Sequence, residues 1–136
     1  MLSPTLATWR LGLHVLAAAV WVGGQIVLGG LMPSLHRAAP DATGVVARAY
    51  ARMAWPAFAL LVLTGIWNLA AIGFSDRSTA YQVTLFVKLV LVGVTGAAAA
   101  VHQLGHSTAA KAIGGALGLL GALGAFFLGM LLITGS

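Results

Sequence analysis

The chain has 136 residues, of which 60% are hydrophobic and 7% charged, and its mean hydropathy is +1.01. That balance leaves no room for a soluble domain and points to an all-α membrane protein. Seven basic residues against two acidic ones give a formal charge of +5. Asp41 and Asp76 both fall between apolar runs, so the basic excess reads as membrane topology and not as nucleic-acid binding. Cysteine is absent, which removes disulfides, thiolate metal sites and cysteine nucleophiles together.

Four apolar stretches approach the ~20 residues needed to cross the hydrocarbon layer. They are about 8–32, 45–72, 81–104 and 112–134, and they predict a single domain, an antiparallel four-helix transmembrane bundle. Pro33 is expected to close the first stretch, Gly73–Ser78 to separate the second from the third, and Gly105–Thr108 to loosen the last turn. Arg10, an apolar run and Ala17-Ala18-Ala19 imitate a signal peptide. The run continues through Trp21 to Met32, longer than a signal's apolar region, so retention is expected. Arg37, Arg48, Arg52 and Lys111 flank the first and third connections, while Arg10 and Arg77 flank the N-terminus and the second. The positive-inside rule then places both termini outside.

On the first helix, His14, Ala18, Trp21, Gln25, Leu28 and Met32 lie within roughly 40° of one another at helical pitch. An imidazole and an amide in an apolar helix need hydrogen-bond partners. Gln25 reads equally as inter-helix glue or as part of a ligand site, and His14 as glue, a metal ligand or a proton carrier. On the second helix, Pro56 predicts a kink beside Trp55, with Arg52 at the interface. Met53, Ala57, Leu60, Thr64 and Asn68 share a broad face; Thr64-Gly65 suits close helix contact, and Asn68 with Trp67 suits a headgroup anchor.

The third helix gathers Tyr81, Thr84, Lys88, Val92, Thr95, Ala99, His102 and His106 on one face. Lys88 has no carboxylate on any helix to neutralise it. It either snorkels to the outer headgroups or pairs with a bound anion. His102 and His106 have the i,i+4 spacing of two imidazoles meeting one metal. The fourth helix carries a stripe of Gly114, Gly118, Gly121 and Ala125, a surface for close packing inside the subunit or across a dimer. Met130 lies roughly opposite it.

The run from His14 through Trp21 to Gly23-Gly24 resembles the first helix of CopD-type copper-resistance membrane proteins. Leu63-Thr64-Gly65 with Asn68, then Tyr81 through Lys88-Leu89, is similar to that family's later segment. The resemblance touches three of the four stretches. It implies copper binding or transport at a bacterial inner membrane. Because larger members carry about twice as many helices, it also implies a homodimer, here through the small-residue face. The His-to-Trp spacing and a helical Lys also resemble the HemJ-type protoporphyrinogen oxidases, which bind b-type haem. That family's Arg soon after the first-helix Trp is missing here.

Imidazole and thioether donors suit copper. The metal candidates are therefore His14, His102, His106, Met32 and Met53, with Trp21, Gln25 and Lys88 as further residues of a cofactor site. In the expected topology His14 is in the outer half and the other metal candidates in the inner half. That arrangement suits two successive sites along a path, or one site with unrelated histidines. Three functions follow: copper binding or permeation, a haem-binding redox protein, and a structural or accessory membrane subunit. Only the second is an enzyme, a membrane haem-dependent oxidoreductase, and a non-enzymatic role is the leading expectation.

Overall fold

A computed structural model describes residues 1–135, and they form two compact units that divide between Gly73 and Phe74. The described residues hold four helical segments long and apolar enough to cross a membrane, Leu6–Ala38, Pro40–Ala71, Thr79–Leu104 and Thr108–Thr134.

The first unit opens with α1 (Leu6–Ala18). Thr5 caps it, accepting from the Thr8 backbone N–H while the Thr8 side chain returns the bond. A π-turn over Ala19–Gly23 leads without a break into α2 (Gly24–Ala38). Then Pro40–Ala42 makes one 3₁₀ turn before α3 (Thr43–Ala71). Pro33 does not close the first helix, contrary to expectation; α2 runs through it to Ala38. A proline gives up one backbone donor and crowds the carbonyl four residues back, which here belongs to side-chain-free Gly29. The stop comes at Ala39-Pro40. Ala39 is pushed out of the helical region (φ −150°, ψ 72°) by the proline that follows it. Likewise α3 is continuous in helical bonding through Pro56.

The seam read on the first helix is its covered side. Trp21 is buried, and His14, Ala18, Gln25, Leu28 and Met32 are half-buried. The π-turn widens this sector, so that Val22 is buried beside Trp21. α1 packs along much of α3, whereas α2 touches it far less and buries no residue. On α3 the covered line is Ala54, Leu61 and Thr64. Met53 is 63% exposed and off that line.

α3 ends where Gly73 takes a positive φ of 60°, a conformation that favours glycine. The second unit starts with a 3₁₀ turn, Phe74–Asp76, followed by α4 (Thr79–Leu104) and α5 (Thr108–Thr134). Gln82 Nε2 closes the turn by donating to the Phe74 and Arg77 carbonyls at 3.1 Å each. The Arg77 guanidinium lies 5.4 Å from the Tyr81 ring centroid. Ser78 and Ser107 cap α4 and α5, accepting from the N–H groups of Tyr81 and Ala110. Tyr81, Thr84, Lys88, Val92, Thr95 and Ala99 are all covered, as the polar seam predicts, but His102 is exposed.

The small-residue stripe of α5 is buried against α4. A Cβ on Gly114 would stand 2.7 Å from the Ala98 carbonyl oxygen and 2.8 Å from the His102 nitrogen. One on Gly121 would meet the Leu91 carbonyl and Thr95 at 3.3 Å. Near its centre the Thr95 hydroxyl donates to the Gly118 carbonyl at 2.6 Å. The stripe is therefore covered by α4 within the chain. Met130 is exposed, as expected from its place opposite the stripe.

Gly114→Val should loosen this hairpin, because the obstructing atoms are backbone and overpacking of this kind costs about 1–3 kcal/mol. Gly93→Ala, where nothing lies within 4 Å, is the control. Thermal unfolding in detergent should show a lowered midpoint for the first variant and a wild-type midpoint for the second.

Candidate functional site

The first unit joins α1 to α3 by two polar rungs. Arg10 and His14 are one turn apart on α1, and Asn68 and Thr64 are one turn apart on α3. Arg10 Nε donates to Asn68 Oδ1 at 2.7 Å. His14 Nδ1 lies 2.9 Å from Thr64 Oγ1. Asn68, expected as a headgroup anchor, is thus the partner of Arg10. A His ring lying against Gly65, whose Cβ would stand 3.4 Å from His14 Cε1, explains the value of a glycine there.

The Thr64 hydroxyl sets the tautomer of His14. Thr64 is 3% exposed, and its Oγ1 donates to the Leu60 carbonyl at 2.6 Å, with the Leu61 carbonyl at 3.2 Å. A hydroxyl has one proton. With that proton turned to its own helix, Oγ1 faces His14 with a lone pair, so His14 Nδ1 donates. In the neutral ring the basic lone pair then belongs to Nε2. A histidine that donates one ring N–H to a fixed acceptor and keeps the other nitrogen basic has the arrangement of a metal-ligating imidazole.

Below this pair sits an aromatic cluster. The Trp21 ring centroid is 4.4 Å from that of Phe58 and 5.6 Å from that of Trp55, and Trp55 meets Phe58 edge-on at 5.9 Å. Such pairs are worth about 0.5–1.5 kcal/mol beyond area burial. Trp21, 2% exposed, is therefore a packing element of the α1–α3 contact. The π-turn leaves its carbonyl open to side chains. Gln25 Nε2 donates to it at 3.1 Å and the Tyr50 hydroxyl at 3.4 Å. Gln25 thus bonds within its own helix and not to a neighbouring one. Gly24 makes room for Tyr50, since a Cβ there would stand 2.6 Å from the ring. Nothing in the residue pattern signalled the π-turn or the roles of Tyr50 and Asn68.

The remaining metal candidates do not gather around His14 within its unit. Met53 is exposed, and Met32 lines a cleft near the end of α2. In the second unit, α4 ends at Leu104, and Gly105 is extended (φ −64°, ψ 143°), so His106 is off the helix. The i,i+4 spacing with His102 therefore does not put two imidazoles on one helical face. His102 Nδ1 is instead 2.6 Å from the Lys111 carbonyl, to which it donates, and its ring covers Gly115. That bond ties the α4–α5 turn together. Lys88 crosses toward α5, with Nζ 3.2 Å from where a Gly129 Cβ would stand. The only side-chain carboxylates, Asp41 and Asp76, lie outside α1–α5. Among the described residues no group of three or more His, Asp or Glu side chains could hold a metal.

Thr64→Val should remove the acceptor that fixes the His14 tautomer, and Thr64→Ser should keep it. Imidazole ¹⁵N spectra of selectively labelled protein at a pH where the ring is neutral should show Nδ1–H in wild type and Thr64→Ser. A mixture of tautomers is expected in Thr64→Val; the wild-type pattern there would mean that another group sets the ring. Comparison of the whole chain with protein-family models, curated proteins and solved structures finds no match, so the chemistry of the site is argued from its own residues.

Proposed function

We propose that the chain is a multi-pass protein of a bacterial inner membrane that binds and passes copper ions through His14. In this reading its four long helices span the bilayer as an antiparallel bundle with both termini outside. The length and hydropathy of the helices and the bias of Arg and Lys toward two connections support that placement. The observation that carries the function is the Thr64-fixed tautomer, which leaves His14 Nε2 as the basic atom. The resemblance of the His14–Trp21–Gly24 and Tyr81–Lys88 runs to CopD-type proteins supplies the metal.

One imidazole holds an ion weakly. Arg10, one turn away, weakens it further: two unit charges roughly 6 Å apart repel by about 3 kcal/mol at an effective dielectric constant of 20. Weak, exchangeable binding suits passage, since an ion must leave the site it enters. It does not suit storage.

A second reading is favoured by the same arginine. A b-type haem brings an iron for His14 Nε2 and anionic propionates for a cation, and Arg10 supplies the cation. The protein would then be a haem-binding redox protein of the HemJ kind.

His14→Ala should lose bound copper, measured by elemental analysis of protein purified in mild detergent and loaded under reducing conditions. His102→Ala and His106→Ala should keep it. A Soret band in the wild type that His14→Ala abolishes selects the haem reading instead. Wild-type metal and haem content in His14→Ala makes the residue helix glue and overturns both. Lys88→Met should also lower ligand content and in-cell copper handling; wild-type values in both Lys88→Met and Lys88→Arg would make it an interfacial anchor.

A further inference from the structure

The α2–α3 end of the first unit carries an apolar cleft of about 440 Å³ that the copper site does not use. Leu28, Leu31, Met32 and Leu35 of α2 and Val46 of α3 form its walls, and Ser34 is its polar member. The cleft exists because α2 touches α3 so little and buries no residue of its own. Its α2 wall runs from Leu28 to Ala38, ten helical steps or roughly 15 Å at helical rise. That is half the ~30 Å thickness of a bilayer's hydrocarbon, the depth of a single leaflet.

Charge stands at one end of this wall. Arg37 Nη2 donates to Ser34 Oγ at 3.5 Å, which holds the guanidinium at the rim. Arg37 and His36 fill the last turn of α2, and Arg48 and Arg52, on α3, are exposed and do not line the cleft. Asp41 is the one acid at this end. An apolar slot one leaflet deep, with a cation at its headgroup end, matches one acyl chain and one phosphate of a phospholipid.

We infer that this cleft is a binding site for an anionic phospholipid, with an acyl chain along α2 and the phosphate on Arg37. The charge selects this occupant over a second copy of the chain. A second copy carries the same net +5 and the same basic end, so self-association here brings arginines against arginines. Guanidinium pairs with phosphate through two parallel hydrogen bonds, which an ammonium-headed zwitterion offsets with its own cation.

Native mass spectrometry of the full chain in mild detergent, with added phosphatidylglycerol or phosphatidylcholine, tests the inference. One retained phosphatidylglycerol per chain is expected, in preference to phosphatidylcholine. Arg37→Gln should reduce that preference about fivefold, in line with the contribution of one basic residue near an anionic surface. Leu31→Trp, at an exposed position of the wall, should expel the lipid by filling the slot while Arg37 remains. Arg52→Gln, away from the cleft, should leave retention unchanged. Equal losses in Arg37→Gln and Arg52→Gln would show a diffuse basic surface and overturn the site. Equal retention of the two lipids, or displacement by inorganic phosphate without effect of Leu31→Trp, would overturn it as well. So would a protein dimer that Leu31→Trp dissociates.

Discussion

The single proton of the Thr64 hydroxyl governs the chemistry of the first unit. The proton goes to the Leu60 carbonyl, the lone pair goes to His14, and the imidazole is left with its basicity on Nε2. In an apolar setting such a choice is stiff. Thr64 is buried, and breaking either bond leaves a polar group whose desolvation costs about 1–3 kcal/mol. The α1–α3 contact, the position of Gly65 under the ring and the alignment of Arg10 with Asn68 all follow from holding this pair in register.

Thr64 and Thr95 are the buried polar residues of the described chain, and they do opposite things. Thr95 sends its proton across to the Gly118 carbonyl of the facing helix. It ties the two helices of the second unit together. Thr64 sends its proton to its own helix and spends its lone pair on a titratable partner. The same residue type thus serves cohesion in one unit and orients an imidazole in the other. The difference lies in what faces it: a bare backbone carbonyl in the second unit, an imidazole in the first.

Much of this was legible in the sequence, and the reasons are local. The covered faces of the first and third apolar stretches follow from 3.6-residue periodicity, which places His14, Trp21 and Gln25 together and Thr84, Lys88 and Thr95 together. The breaks read at Gly73–Ser78 and Gly105–Thr108 fall between helices, where Gly73 turns the chain and Ser78 and Ser107 cap the helices that follow. What failed needed tertiary information or competition between neighbours. Pro33 was outweighed by the helix around it, and the real stop required two features together, Ala39 ahead of Pro40. The histidine pair dissolved because Gly105 ends α4 before His106, a break that i,i+4 counting ignores. Asn68 could not be matched to Arg10 without knowing the register of α1 on α3. The π-turn left no mark in the pattern, since its signature is a carbonyl that Gln25 and Tyr50 satisfy from outside the backbone ladder.

Arg10 places the sharpest limit on what His14 can hold. A guanidinium one turn from an imidazole is a poor neighbour for a tightly bound cation, and Asn68 secures it there through a neutral oxygen that does not cancel its charge. A carboxylate in place of Asn68 would have neutralised Arg10 and left the imidazole as an ordinary cation ligand. With an amide, the positive charge stays available. The site therefore favours either an ion held briefly or a ligand that carries negative charge of its own beside its metal. Both copper passage and haem binding satisfy that condition; a structural metal centre does not. The contrast with Lys88 sharpens the point, for that ammonium also lies on a covered helix face in a chain with no helical carboxylate. Two cations kept without acids, each turned toward a neighbouring helix of its own unit, are costly to maintain in an apolar protein unless an anion is drawn to them.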